Sequence, residues 1–378
     1  MTTTRPLAGL RVLEIGHSIA APYAGMILGE LGADVVKMEN PGQGDYARGW
    51  GPPFSRGSAT IFQAVNRAKR GITTDLKDPA QRARLRRLIV DEMDVVMHNL
   101  KPRAPERLGL GAAGLLAEKP SLIYCNLGAF GAAGPLASHP GYDPLMQAFG
   151  GLMSMLGEEG RPPVRVIASI MDLGTGMWTV IGILAAIVER ARTGQGGLID
   201  TSLFETSCGW MGIPLADFLA SGELPKRTGS GVGMIVPYQV FATSDSYLMV
   251  AAGNDSLFQR LCAALTRPDL AADPRFTKNA DRVTNRPALI GALAETFAAQ
   301  PAAHWMTALQ AVGVPCGPVQ TLDQVVSHPQ TEALGILQTA PDASMRTIGL
   351  PLSFNGLRPQ WERAAPGLGE HNQEVLNE

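Results

Sequence analysis

Short apolar runs alternate with amphipathic stretches through the first 130 residues. RVLEI (11–15) reads as a buried strand. A helix follows from about Ala20 to Leu31, with Pro22 in its first turn and Gly32 at its end. DVVKME (34–39) is the next strand and ITTDL (72–76) another. After a helix from Asp78 to about Asp91, DVVMHNL (94–100) and LIYCNLGAFG (122–131) close the series. Strands separated by helices predict βαβ units and a parallel sheet.

The pattern then changes. Residues 141–157 read as a helix and VRVIASI (164–170) as a strand, before a long apolar helix from about Gly174 to Arg192. The uncharged run Leu173–Val188 would span about 24 Å as a helix, short of a hydrocarbon core of about 30 Å. With Asp172, Glu189 and Arg190 at its ends, it reads as a buried core helix. After Leu219 comes a Gly-rich loop. YQVFATSDSYLMVAAGN (238–254) alternates around Ser-Asp-Ser as a β-hairpin does, and helices follow near 255–265, 286–299 and 302–312. The pattern predicts an α/β protein: an open parallel sheet with flanking helices in a large domain (1–224) and a smaller α+β domain (225–325). A C-terminal segment (326–378) is expected to return to the large domain.

Composition narrows the class. Of 378 residues, 45% are hydrophobic and 17% charged, with 43 Gly and 28 Pro. That supports a sizeable core and is not the signature of disorder. The net charge of −2 gives no general grip on nucleic acid or anionic membrane. The four cysteines are too far apart for a CxxC site, and the N-terminus has no apolar signal region. A cytoplasmic protein is expected, without a metal.

Two familiar motifs fail in the first strand–helix turn. Glu39 sits where a ribose-binding acid would belong, but Gly16 stands alone where a dinucleotide turn needs three glycines. Gly16-His17-Ser18-Ile19-Ala20 approaches a nucleophile elbow, yet this is the first strand, with none before it to supply an oxyanion donor. Ser18 reads better as a helix cap.

Between Arg67 and Arg107 there are eleven Lys or Arg and six Asp or Glu. Several of the cations fall in loops after strands, where an open α/β sheet binds ligands; this suits a polyphosphate. Asp172 stands alone between the apolar stretches VRVIASIM and TVIGILAAIV. It reads as an N-cap, as a nucleophile, or as both. Helix N–H groups are expected to keep it ionised, and a partly desolvated carboxylate is a usable nucleophile. Gly229–Gly233 (GSGVG) reads as a linker, or as a mobile flap offering N–H donors from residues such as Gly231.

Taken together, these stretches resemble the class III CoA-transferase family, which includes formyl-CoA transferase and carnitine CoA-transferase. The likeness runs through PLAGLRVLEIGHSIAAPYAGMILGELGADVVKMENPGQGD (6–45), NRAKRGITTDLK (66–77), VVMHNLKP (95–102), ERLGLG (106–111) and GYD (141–143). It is strongest in ASIMDLGTGMWTVIGILAAIVERARTGQG (168–196) and continues in GVPCGPV (313–319) and LGEHNQEVL (368–376). Residues 229–254 look most like the branch that handles dicarboxylic acids. The resemblance implies that Asp172 is the nucleophile. It attacks an acyl-CoA to form a mixed anhydride, then becomes an aspartyl-CoA thioester. CoA contacts are implied at Ile19, Ala20, Lys77, Asn99, Leu100 and Arg107, with Tyr142 at the active site. Also implied are ring-shaped chains in an interlocked homodimer, acyl-CoA and carboxylic acid substrates, and no resident cofactor. A diacid's remote carboxylate needs a cation, and Arg48 is the candidate; its alternative roles are to hold the loop 40–56 or to contact CoA. A second reading of the same superfamily is a 2-methylacyl-CoA racemase. That branch uses a histidine in GHD, where this chain has Gly141-Tyr142-Asp143, and tyrosine is the poorer base near neutral pH.

Overall fold

The computed structural model describes residues 5–376. The chain forms two compact units. The larger comprises the residues up to Leu152, Val166–Gly212 and the segment from His328 on; the smaller comprises Met153–Arg165 and Ile213–Ser327. The larger unit thus stops at Gly212, before the sequence-based boundary at 224, because the helix Gly212–Ser221 belongs almost wholly to the smaller one.

Six parallel strands build the larger unit: β1 (Arg11–Ile15), β2 (Asp34–Glu39), β3 (Lys69–Thr73), β4 (Val95–His98), β5 (Ile123–Gly128) and β6 (Gly197–Ser202). Their order is β3-β2-β1-β4-β5-β6. This is a doubly wound sheet whose order reverses between β1 and β4, so the ligand crevice of such sheets opens at the carboxyl ends of those two strands. Alternation sends Val12, Val35, Val95, Met97 and Ile123 to one face. They meet α1 (Ala20–Glu30) and α3 (Ile170–Thr193), and α3 packs in turn on α2 (Asp143–Phe149) and α4 (Leu203–Trp210). Leu13, Val36, Met38, Ile72 and Val96 go to the other face, against the helix Pro79–Glu92.

Two glycines make the first face possible. At Gly25 of α1 a Cβ would lie 2.1 Å from Glu14 Oε2. At Gly176 of α3 it would lie 2.8 Å from the Ala20 carbonyl oxygen. Only hydrogen fits at either contact, so α1 can lie on the sheet and α3 on α1.

Four elements differ from the sequence reading. The third strand runs over Lys69–Thr73 rather than 72–76. Residues 164–170 form no strand, and the side chain at Ile167 is exposed. Gly197–Ser202, unread as a strand because it mixes exposed and buried positions at the sheet edge, is the sixth. The helix expected over 141–157 breaks after Phe149, where Gly151 takes φ +90°. The long helix is also not wholly buried. Thr175, Thr179, Val180 and Ile183 face the core, while Met177, Trp178, Ile181 and Val188 are exposed. It is long and apolar enough to cross a membrane by length and composition alone.

The smaller unit holds the expected hairpin, Tyr238–Ala242 with Tyr247–Ala251, to which Cys316–Pro318 adds a third antiparallel strand. Phe241, Leu248, Phe258, Phe297 and Trp305 form its core.

Candidate active site

Because all six strands are parallel, every loop that leaves a strand at its carboxyl end emerges on one rim. Ile19 and Ala20 follow β1, Lys77 follows β3, and Asn99, Leu100 and Arg107 follow β4. Tyr142 and Asp172 lie in the connection from β5 to β6. Topology therefore brings the expected nucleophile and all expected CoA contacts to the same edge. The Gly176–Ala20 contact ties them more closely, since Gly176 is one helical turn beyond Asp172 and Ala20 opens α1.

Helix α3 begins at Ile170 with Ser169 as its N-cap, so Asp172 occupies the first turn rather than the cap. Among the described residues its carboxylate accepts no hydrogen bond and forms no ion pair. The leading N–H groups are taken by a different acid: Asp143 Oδ2 accepts from the backbone N–H of Met171 (2.6 Å) and of Asp172 (3.3 Å). Asp143 is itself buried, and its Oδ1 accepts from Gln147 Nε2 (2.6 Å). Gln147 in turn brackets the backbone of Val166. Asp143, the last residue of GYD, is thus the carboxylate that uses the helix end.

This overturns the expectation that helix N–H groups keep Asp172 ionised. Burial raises its pKa, and the neighbouring Asp143 charge adds to it, bringing the group from 3.8 to about 7. Such a carboxylate is poorly solvated, hence reactive when ionised.

The β1–α1 turn is built with equal care. Asn99 pairs with both polar groups of the His17 backbone: its Oδ1 accepts from the N–H (3.0 Å) and its Nδ2 donates to the carbonyl (2.7 Å). The amide of Asn99 therefore bridges β1 and β4 rather than standing free for a ligand. Leu100 follows it, with its N–H donated to His98 Nδ1 (3.3 Å). Ser18 sits at φ +68°, and Ile19 at the helix entry supplies no side-chain cap. Lys77 and Arg107 are exposed, and Tyr142 is 55% exposed.

Arg48 does not stand free. Its Nε and Nη2 donate to the two oxygens of Glu39 (2.8 and 2.6 Å), Nη2 also reaches the Pro366 carbonyl (3.0 Å), and its guanidinium lies 3.9 Å from the centre of the Phe62 ring. The alternative role, holding the loop, is the one this geometry serves; a diacid would have to displace Glu39. Gly231 belongs to the smaller unit, in a turn closed by its N–H to the Thr228 carbonyl (3.0 Å). The flap is also tied, since Arg286 donates to the carbonyls of Val232 and Gly233 (2.7 Å each). Among the described residues no group of three or more His, Cys, Asp or Glu could hold a metal.

The sequence reading missed Asp143, which takes the leading N–H groups of α3, Asp45, which accepts from the Ser18 backbone N–H, and Lys37, which donates to Asp45. The last had a visible signal. Glu14 and Lys37 interrupt apolar strands in the middle of a parallel sheet, where strands read as near-continuous apolar runs.

The family model for CoA-transferase family III matches residues 7–372. Curated relatives include mouse succinyl-CoA:glutarate CoA-transferase, 35% identical over 99% of this chain and 86% of its own length. Succinate–glutarate CoA-transferase of Agrobacterium fabrum is 35% identical over 99% and 95%. Acetyl-CoA:oxalate CoA-transferase of Acetobacter aceti is 36% identical over 99% and 95%. Among solved structures, a CaiB/BaiF family protein from Brucella suis superposes with a TM-score of 0.88 at 38% identity, covering 99% of each chain.

Proposed function

The chain belongs to CoA-transferase family III, and from that premise we propose that Asp172 carries CoA between a short dicarboxylyl-CoA, such as succinyl-CoA, and a second dicarboxylic acid, such as glutarate. The observation that carries the reading is the Asp172 carboxylate: partly buried, paired with no cation among the described residues, and one helical turn before the Gly176 contact with Ala20.

The ionised carboxylate attacks the donor's thioester carbonyl. The C–S bond breaks, and CoA thiolate leaves an aspartyl–acyl anhydride. Thiolate then attacks the aspartyl carbonyl, releasing the donor's acid and forming an aspartyl-CoA thioester. The acceptor carboxylate attacks that thioester and expels thiolate again, giving a second anhydride. Thiolate takes the acceptor's acyl group, and Asp172 is regenerated. No proton is consumed, and the thioester's energy survives only while water is excluded. The CoA moiety lies along the carboxyl rim, over Ile19, Ala20, Leu100, Lys77 and Arg107, with Tyr142 near the reacting acyl group.

Support for diacid substrates comes from the names of the relatives, since succinate, glutarate and oxalate are all dicarboxylates. Support for a homodimer comes from the exposed apolar face of α3, Met177, Trp178, Ile181 and Val188, which a second copy would cover. Light scattering on wild type and Trp178→Glu tests this: a dimer is expected to lose mass in the variant.

The decisive experiment adds hydroxylamine during turnover with succinyl-CoA and glutarate. An aspartyl hydroxamate at residue 172 is expected, and no transfer by Asp172→Ala. An adduct at another residue, or an active Asp172→Ala, overturns the assignment.

A further inference from the structure

Three ionisable side chains lie beneath the β1–α1 turn with almost no access to water: Glu14, Lys37 and Asp45. Lys37 Nζ donates to Glu14 Oε1 (3.0 Å), Asp45 Oδ2 (3.0 Å) and the Gly16 carbonyl (2.8 Å). Burial works against the ammonium, but Glu14 and Asp45 outweigh it and hold Lys37 charged. Lys69 approaches the other oxygen of Glu14 at 2.7 Å. That oxygen receives no well-directed hydrogen bond, so the contact is an ion pair only. Buried ion pairs of this kind are seldom the most stable way to fill a core, so a specific task is the better account of them.

The task is visible in the remaining oxygen of Asp45. Oδ1 accepts from the backbone N–H of Ser18 (2.9 Å) and of Ala47 (2.9 Å). Ser18 is the residue held at φ +68°, a left-handed conformation that a non-glycine residue keeps only when its surroundings impose it. Lys37 holds Gly16 and Asn99 holds His17, so three consecutive residues of the turn are pinned by side chains from three other segments. The strained residue is followed at once by Ile19 and Ala20.

We propose that Asp45 is a positioning residue for acyl-CoA binding: neutralised by Lys37, it holds Ser18 left-handed and so presents Ile19 and Ala20 to the CoA moiety. The inference rests on the reading above that this turn contacts CoA.

The test uses the full chain with succinyl-CoA and glutarate, together with calorimetric titration by free CoA. Asp45→Ala is expected to raise the KM for succinyl-CoA and the Kd for CoA by roughly tenfold, the scale of one strained residue released. Its kcat and the KM for glutarate are expected to stay within about threefold. Asn99→Ala, which loosens the same turn from the other side, is expected to show the same split and serves if Asp45→Ala fails to fold. The discriminating variant adds Ser18→Gly to Asp45→Ala. Glycine takes positive φ without strain, so the double variant should recover most of the donor KM. A merely structural role for Asp45 gives no such rescue. Wild-type transfer and CoA binding with an unchanged donor KM in both single variants overturns this inference alone, as does a donor KM that Ser18→Gly fails to restore. A wild-type chain that binds no CoA overturns the underlying reading as well.

Discussion

Asp172→Asn is expected to stabilise the ligand-free protein in a pH-dependent way. In the folded chain Asp172 titrates near 7, against 3.8 for an ordinary aspartate. The unfolded chain therefore gives up this proton more readily. Below pH 3.8 both states hold the proton and no penalty exists. As pH rises from there the folded state is increasingly disfavoured, until the penalty levels off above pH 7. At 1.36 kcal/mol per pH unit the full penalty is about 4 kcal/mol, and at pH 5 it is about 2 kcal/mol. Asparagine has no such term, and its own burial cost does not vary with pH. The readout is therefore how the gap in melting temperature between variant and wild type changes with pH. From pH 5 to pH 8 that gap should widen in favour of the variant by about 5 °C or more. Differential scanning fluorimetry without CoA measures it. A gap that stays flat, or narrows with rising pH, would refute the claim that the Asp172 carboxylate is held at a cost by burial and by Asp143.

Three further outcomes follow from the same geometry. Since the nucleophile must be ionised, kcat/KM should rise through about pH 7 and fall roughly tenfold per unit below it, to about 1% at pH 5; a flat profile between pH 5 and 7 would count against Asp172 as the titrating nucleophile. Arg48→Met should cost stability and reduce activity equally with succinyl-CoA and butyryl-CoA, because its partners are Glu39 and the Pro366 carbonyl; a loss confined to succinyl-CoA would return Arg48 to the substrate site. Gly25→Ala should destabilise the larger unit by about 3 kcal/mol, measured by urea unfolding, because its Cβ meets Glu14 in a buried ion network; a change below about 1 kcal/mol would show that α1 can shift without cost.

Much of this protein was legible along the chain. The alternation of strand and helix signals determined the parallel sheet, because strands buried on both faces read as near-continuous apolar runs. Asp172 stood out along the chain because a lone carboxylate between apolar stretches is costly without a purpose. What the tertiary structure decided was which charges are already committed to one another. Arg48 looked available in sequence, yet it lies against Glu39. Asp172 was expected to enjoy the helix N-terminus, but Asp143, 29 residues earlier, occupies it. Asn99 was expected to meet CoA, and its amide instead reads the backbone of His17, 82 residues away. A single strand of text carries periodicity, since burial repeats with the local geometry of the backbone. It does not carry pairing, since a hydrogen bond or ion pair between distant residues depends on which loops the sheet order brings to one rim.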